Sequence, residues 1–383
     1  MPFNRSHYCG LYIHIPFCEH KCEYCDFFSV TDNHHRQTFV SLLLQEMELT
    51  LQSTHIDGLF DTIYLGGGTP SLLTEHEVDI LLQFILKHFR MDTNTEITME
   101  INPGSLTDKK LASFRRLGVN RLNVGVQSFV NNELKVLGRI HDADKAFRSV
   151  EAVRNRSFDN IGLDLIYGVP GQTQESWQYS LSEAIRLQPE HISAYNLTIE
   201  NGTPFYDRML KGEIKPSGQR METLFFKQTV DTLKQASYKP YEISNYARAP
   251  KFYSRHNQKY WYHIPYLGFG PSAHSFWNEK RWANKSSMSD YVFDIENGQR
   301  PLAFTESIDD ETKEFEYIFL GLRTYDGINL QKFEETFGRA FKSKYGDLVD
   351  SLLLNQLADM DQSFFRLTQK GMMISDEITP KFL

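Results

Sequence analysis

Cysteine is scarce in this chain, and its scarcity narrows the possible functions. The 383 residues include four cysteines, too few for a protein of this size to depend on a disulfide framework. Long apolar runs are missing as well, since no stretch approaches the roughly 18 consecutive apolar residues of a membrane-spanning helix. A formal net charge of −8 argues against general binding to nucleic acids or anionic membranes. We therefore expect no membrane span and no nucleic-acid partner.

The amino terminus also lacks a recognisable export signal. Residues Met1 to Arg5 contain no apolar core of the kind that a signal peptide needs. A cytoplasmic location is the resulting expectation. That reducing compartment suits free thiols.

Three of the four cysteines, Cys18, Cys22 and Cys25, stand close together after a short apolar run at 11–15. Three thiolates on one tight loop can bind metal and leave one coordination position open, which a reactive iron–sulfur cluster requires. Cys9 is not expected to be a fourth ligand, because the extended stretch before the loop carries it away. The spacing therefore favours an iron–sulfur cluster.

Two other interpretations of the cysteine loop stay open. Structural zinc usually takes four ligands from two separated pairs, and no second Cys/His pair with such spacing follows in this chain. The loop could also bind no metal.

Strand-like apolar runs alternate with helix-like segments through the first two-thirds of the chain. The strand candidates are 11–15, 62–65, 96–101, 121–125, 160–166 and 191–197. A helix is predicted near 38–51 from its 3.6-residue apolar period. Repeated βα units predict an α/β fold with a parallel sheet, and six units fit a partial (β/α)₆ TIM-like barrel. A doubly wound open sheet remains an alternative, because periodicity does not separate the two.

Glycines and polar residues recur where the predicted strands end. They are Gly66 to Thr69, Glu100, Gln127 and Asp164. Singly, each is more typical of a turn, a cap or the surface. In either α/β architecture, however, functional residues gather at the carboxyl ends of the strands, so their recurrence predicts one binding site.

The cysteine spacing, with aromatic Tyr24 directly before Cys25, resembles the motif of the radical S-adenosylmethionine (SAM) superfamily. Over nearly its whole length the chain is similar to the coproporphyrinogen dehydrogenase-like group of that superfamily. The resemblance implies a [4Fe-4S] cluster whose fourth iron is chelated by SAM, a protein electron donor for the cluster, and a radical SAM barrel over residues 1–240. The cofactor contacts that it implies are Tyr12, Tyr24, Gly67, Gly68, Thr69, Glu100, Gln127, Arg139 and Asp164.

Residues 241–300 form an aromatic-rich segment that contains three of the four tryptophans. Within it lies His256-Asn257-Gln258-Lys259-Tyr260-Trp261. A histidine among flat apolar rings suits an iron-bearing macrocycle, which needs stacking faces and an imidazole ligand. The alternative is a histidine that is hydrogen-bonded inside an aromatic core. His274 is a second candidate for the iron ligand.

The motif at 256–261 resembles the haem-binding motif of the haem chaperones within the same group. The dehydrogenases carry an additional cysteine two positions after the third cluster cysteine, where this chain has Phe27, and a longer extension than the 17 residues before Cys18. The resemblance implies that His256, Asn257, Tyr260 and Trp261 bind haem, and that haem passes to an unidentified acceptor protein.

Two other functions stay open alongside the haem chaperone. One is the oxygen-independent oxidative decarboxylation of coproporphyrinogen III in porphyrin biosynthesis. The other is a radical SAM transferase that acts on a different planar substrate, since the scaffold alone does not specify the chemistry. Whether the chain is an enzyme is left undecided by the sequence.

The last region, 301–383, combines helix-like runs with a short strand-like run near 365–367. This pattern predicts a small, mostly helical domain of winged-helix type, and it resembles the C-terminal domain of the coproporphyrinogen dehydrogenase group. No basic recognition stripe is present, so DNA binding by this domain is not expected.

Overall fold

A computed structural model describes residues 8–32 and 34–383. The strands are β1 Tyr8–Ile15, β2 Leu59–Gly67, β3 Met91–Ile101, β4 Arg121–Gln127, β5 Ile161–Tyr167, β6 His191–Asn196, β7 Lys239–Pro240, β8 Asn245–Ala247, β9 Tyr266–Phe269, β10 His274–Trp277, β11 Lys280–Asn284, β12 Leu302–Ser307, β13 Ile328–Asn329, β14 Ala358–Met360 and β15 Phe364–Leu367. The helices are α1 Phe39–Ser53, α2 Glu75–His88, α3 Asp108–Arg116, α4 Asn131–Val136, α5 Ala143–Asn155, α6 Gln174–Arg186, α7 Pro204–Leu210, α8 Gln219–Gln235, α9 Arg255–Trp261, α10 Met288–Glu296, α11 Asp310–Leu322, α12 Leu330–Phe337, α13 Phe341–Leu354, α14 Gln369–Met372 and α15 Ser375–Ile378.

Strands β1 to β6 lie side by side in chain order, and every neighbouring pair is parallel. At least one helix lies in each connection between them. A doubly wound sheet would reverse its strand order at a switch point, and this one does not. The predicted partial (β/α)₆ barrel is therefore confirmed, and the open-sheet alternative is wrong.

Four of the helices that connect the barrel strands begin at side-chain caps that the sequence supplies. Thr74, Thr107, Asp142 and Thr173 each accept a hydrogen bond from a backbone N–H in the first turn of α2, α3, α5 and α6, respectively. Such caps satisfy N–H groups that have no partner within the helix. They fix where each loop stops, and so they hold the loops at the carboxyl ends of the strands in place.

Alternate residues of each barrel strand face the helices and the barrel interior. In β1, Leu11, Ile13 and Ile15 are fully buried against the helices. Tyr12 lies on the opposite face, where its ring stacks on Tyr64 of β2 at a centroid distance of 6.1 Å. This period-2 pattern places polar and aromatic side chains inside the barrel while the apolar core lies outside it.

The sheet continues beyond the barrel at both edges, in the order β12-β11-β10-β9-β1-β2-β3-β4-β5-β6-β8-β7. Strand β9 pairs with β1 in parallel, and β10, β11 and β12 follow as antiparallel neighbours. On the other edge, β8 pairs antiparallel with β6. The aromatic segment thus supplies strands to both edges of one twelve-stranded sheet.

Helix α9 lies against the interior face of β1 and β2, near the amino-terminal ends of the barrel strands. Its Lys259 donates to Asp61 of β2 at 2.5 Å, and both side chains are completely buried. Arg255 binds the same carboxylate at 2.5 Å. These ion pairs fasten α9 as a plug in the floor of the barrel.

The carboxyl-terminal region forms a small domain of helices α11 to α15 with a three-stranded antiparallel sheet in the order β13-β15-β14. It contacts α9 through α11, and Thr324 forms a β-bridge with Glu242. The predicted small, mostly helical domain is therefore confirmed. None of the helices in the described part of the chain is long and apolar enough to cross a membrane.

Candidate functional site

A cavity of about 460 Å³ opens at the carboxyl ends of the barrel strands. Its lining comes from residues between 18 and 198, with contributions from the loop after β1 and from the ends of β2 to β6. The predicted site residues that line it are Cys18, Cys22, Tyr24, Cys25, Gly67, Gly68, Thr69, Glu100, Gln127, Arg139 and Asp164. The strand-end prediction thus converges on one cavity, as expected for parallel βα units.

The cysteine loop is held at its base by backbone hydrogen bonds. The N–H of Cys18 donates to the carbonyl of Val30 at 2.9 Å, and the N–H of Val30 donates to Pro16 at 2.8 Å. A turn within the loop joins the N–H of Cys25 to the carbonyl of Cys22 at 3.1 Å. The three thiols are free and line the same cavity.

Burial keeps two of these thiols protonated when no metal is bound. It raises the pKa of Cys18 above its ordinary value and that of Cys25 to about 11. Metal binding at the loop must therefore release protons. Within the described ranges, no group of three His, Cys, Asp or Glu residues is arranged to hold a metal ion.

A chain of hydrogen bonds connects Cys18 to Cys22 across the cavity wall. Thr69 Oγ1 donates to Cys18 Sγ at 3.6 Å, and Asn102 Nδ2 donates to Thr69 Oγ1 at 2.8 Å. Arg139 Nη2 donates to Asn102 Oδ1 at 2.6 Å, while its Nη1 lies 3.5 Å from Cys22 Sγ. Burial dominates at Cys18, but the Thr69 hydrogen bond opposes it and favours the thiolate that metal ligation requires.

Glycine is required where β2 passes the cysteine loop. The backbone of Gly67 has φ +105°, and a Cβ there would lie 2.6 Å from the His14 ring. A Cβ on Gly68 would lie 2.7 Å from the carbonyl oxygen of Phe17. The backbone can therefore approach both the loop and a bound ligand closely.

Two half-buried carboxyl groups form the polar base of the cavity. Glu100 accepts from the Tyr64 hydroxyl at 2.7 Å and from the Gly67 N–H at 3.2 Å. Burial raises its pKa to about 7, and burial raises that of Asp164 to about 6. Oδ1 of Asp164 and Oδ1 of Asn123 are buried without a hydrogen-bond partner among the described residues. Unpaired buried acceptors are costly, so a ligand with donor groups fits here.

Backbone strain marks the end of β4. Gln127 has φ +67°, an uncommon conformation for a residue with a side chain, and it lines the cavity. Residues held in this region cost of order 1–3 kcal/mol and cluster at functional sites. The strain supports the prediction that Gln127 belongs to the site.

Several lining residues went unrecognised in the sequence, among them Tyr64, Asn123, Tyr195 and Asn196. Tyr195 and Asn196 end β6, so the strand-end rule could have found them. Tyr12, in contrast, does not line the cavity. Its hydroxyl lies 3.1 Å from His14 Nδ1, one layer below the strand ends.

The aromatic motif lies on α9, in the barrel floor. His256 is fully buried, with Nδ1 2.8 Å from Thr62 Oγ1 and Nε2 2.9 Å from the Tyr260 hydroxyl. Burial, reinforced by Lys259, lowers its pKa to about 3, so the ring is neutral. This arrangement is that of a histidine hydrogen-bonded inside an aromatic core, because both ring nitrogens have partners. Iron binding by His256 stays a prediction, and it would require one of these two hydrogen bonds to break.

The other three motif residues have structural contacts around α9. The N–H of Asn257 donates to the Ser254 hydroxyl, which caps the helix. The Tyr260 ring contacts Tyr266 edge-on at 4.7 Å, and the Trp261 ring lies under the Arg323 guanidinium at 5.4 Å. Trp261 thereby ties α9 to the carboxyl-terminal domain. Their predicted haem contacts remain untested.

Comparisons with known proteins cover nearly the whole chain. The model of the radical SAM superfamily matches residues 12–184, and that of the HemN C-terminal domain matches residues 308–374. The heme chaperone HemW of Bacillus subtilis is 34% identical over 97% of this chain and 98% of its own length. HemW of Lactococcus lactis is 33% identical over 97% of this chain and 96% of its own length. The structure of coproporphyrinogen III oxidase (HemN) from Escherichia coli superposes on this chain with a TM-score of 0.84 at 22% identity. The superposition covers 98% of this chain and 90% of that one, so the two proteins share a fold.

Proposed function

The chain belongs to the HemW family of haem chaperones within the radical SAM superfamily, and from this premise we propose that it binds haem and transfers it to an acceptor protein. A [4Fe-4S] cluster and SAM occupy the barrel cavity in this proposal. The observation that carries it is the similarity to HemW along nearly the entire chain, with Phe27 at the position of the additional dehydrogenase cysteine. A protein electron donor and a haem acceptor are the implied partners.

The cavity fits the cluster by its donor set. Cys18, Cys22 and Cys25 supply three thiolates, and the Thr69–Asn102–Arg139 chain supplies donors to two of them. Three ligands leave one iron of a four-iron cluster for SAM. When bound, the reduced cluster can supply one electron to SAM.

The residues beyond the cysteine loop fit a ligand that carries ammonium and hydroxyl donors. Glu100 and the unpaired oxygens of Asp164 and Asn123 present acceptors, while Gly67 and Gly68 allow close backbone approach. Arg139 already donates to Asn102 and to the Gly125 carbonyl at 2.9 Å, so its role is to position neighbouring groups and contribute charge.

SAM affinity should fall with acidification through the pKa of Glu100. The ionised carboxylate accepts hydrogen bonds from SAM, whereas the protonated form loses that capacity. With a pKa of about 7, affinity should drop about tenfold from pH 8 to pH 6. Asp164 and Tyr64 are the titratable groups that face Glu100, and Asp164 adds to the loss below its pKa of about 6. Equilibrium dialysis of cluster-loaded protein measures this directly.

Glu100→Gln is the matched variant for the pH experiment. It should bind SAM more weakly at pH 8 and show a flatter pH profile, because Asp164 is then the one carboxyl of the pair in the cavity that still titrates. Wild-type affinity that stays constant or rises between pH 8 and pH 6 would contradict the assigned role of Glu100.

Haem binding is tested by titrating purified protein with haemin and following the Soret band. We expect saturation at one haem per chain and transfer of the bound haem to an apo-haem protein added afterwards. An anaerobic incubation with reductant, SAM and coproporphyrinogen III should give no vinyl-bearing product. A chain that fails to saturate with haem, or that forms this product, is not acting as proposed.

A further inference from the structure

We propose that haem binds on the inner face of the sheet extension β9–β12, with His274 as the iron ligand. The inference rests on the haem-chaperone function proposed above and assigns it a site. It differs from the predicted use of His256, whose two ring nitrogens are already occupied in the barrel floor.

Strand register places His274 on the same face of the sheet as the barrel interior. Tyr12 pairs with Gly268 of β9, and β10 runs back alongside β9 with Phe276 opposite Tyr266. His274 lies two residues before Phe276 on β10, and Gly268 lies two residues after Tyr266 on β9, so both share the face of that pair. Because directly paired residues point to the same face, the imidazole shares the concave side with Tyr12.

The neighbours of His274 across the sheet are small on both sides. Gly268 has no side chain, and its absence is needed, since a Cβ there would lie 2.1 Å from the His274 carbonyl oxygen. Ala283 is the partner on β11. The imidazole therefore stands beside side chains too short to cover it.

An exposed aromatic ring lies next to the imidazole. Phe304 of β12 pairs with Ala283 of β11. Its ring centroid lies 6.0 Å from that of His274, at an interplanar angle of 64°. The Phe304 side chain is 42% exposed, which is unusual for a large apolar group. A flat macrocycle bound to the imidazole would cover this ring and gain from its burial.

The three histidines of residues 241–300 differ in whether their ring nitrogens are free to bind iron. His256 is enclosed, and His263 pairs with Glu316 at 3.2 Å while its ring stacks on Phe276. His274 is exposed, and across the described ranges no hydrogen bond engages either of its ring nitrogens. Of these three imidazoles, that of His274 can bind iron without first breaking a hydrogen bond or ion pair described for its ring nitrogens.

An open sheet face suits a protein that must release its haem. A ligand held on a surface keeps one face accessible to an acceptor, whereas an enclosed pocket slows dissociation. Helix α11 bounds the site on one side, because its Glu316 binds Arg281 of β11 at 2.5 Å. Farther along the extension, every residue of β12 after Leu302 is exposed.

Haemin titration of His274→Ala tests the assignment. We expect haem affinity to fall at least about tenfold, equivalent to 1.4 kcal/mol, and the histidine-ligated Soret band to disappear. Free imidazole should restore that band, a rescue that a purely structural role would not show. Phe304→Ala should weaken binding without moving the band. His55→Ala, on an exposed loop, is the matched control and should behave as wild type.

The outcomes separate this inference from the proposed function. If wild-type protein binds no haem, the proposed function fails. If wild-type protein binds and His274→Ala binds equally well with the same spectrum, the site assignment alone is wrong. It is also wrong if folded His256→Ala loses the Soret band while His274→Ala keeps it.

Discussion

Cys22→Ala protein, reconstituted anaerobically with iron and sulfide, is expected to retain no stable cluster. Two remaining thiolates cannot hold the three irons that a site-differentiated cluster binds through protein ligands. Iron and acid-labile sulfide should fall from about four of each per chain to background, together with the brown colour. The same result is expected for Cys18→Ala and Cys25→Ala, because all three thiols line one cavity.

Cys9→Ala is the control that the chain itself provides. Cys9 is buried in β1, outside the cavity lining, and burial raises its pKa to about 11. Its replacement removes a thiol that is more deeply buried than those of the loop and leaves the loop unchanged, so cluster content should match wild type. Full cluster content in Cys22→Ala, or zinc in place of iron and sulfide in wild-type protein, would contradict the cluster assignment.

Much of the candidate site could be predicted because topology constrains it. Parallel strands that follow one another in chain order bring their carboxyl ends to one rim, so Gly67, Glu100, Gln127 and Asp164 meet wherever the helices pack. No distance had to be known for that prediction. The starts of the strands were less accessible: β3 begins at Met91 rather than 96, because polar residues in its first half hide the apolar alternation.

The barrel floor could not be predicted, because its contacts join distant parts of the chain. His256 meets Thr62 across 194 positions, and it does so only because β9 returns to pair with β1. A motif read along the sequence gives residue types but not the face that a seven-residue helix turns inward. The same sequence therefore suits an iron ligand and a core hydrogen bond equally well, and burial shows only that the core hydrogen bonds form.

The buried ion pair in the barrel floor predicts a large change in the free energy of unfolding when it is broken. Asp61→Asn should lower the free energy of unfolding by about 3–5 kcal/mol, because it leaves the fully buried Lys259 ammonium without its carboxylate. Although burial opposes ionisation of Asp61, Lys259 and Arg255 hold its pKa below the ordinary value. Its contribution is therefore complete above the unfolded-state pKa of about 4 and is lost as the pH falls below it. Urea unfolding at pH 7.5 measures the difference.

The two partners of Asp61 make the effect asymmetric. Lys259→Met should cost less than Asp61→Asn, because the carboxylate keeps Arg255 at 2.5 Å whereas the ammonium in Asp61→Asn keeps no charged partner among the hydrogen bonds it makes. Asp350→Asn, which removes an exposed pair with Lys342, should change stability little. Equal losses in all three variants would mean that the floor is not closed by a desolvated ion pair. The predicted ranking of the three stability losses follows from burial. Water can solvate an exposed charge whose partner is removed, whereas a buried charge depends on its protein partner.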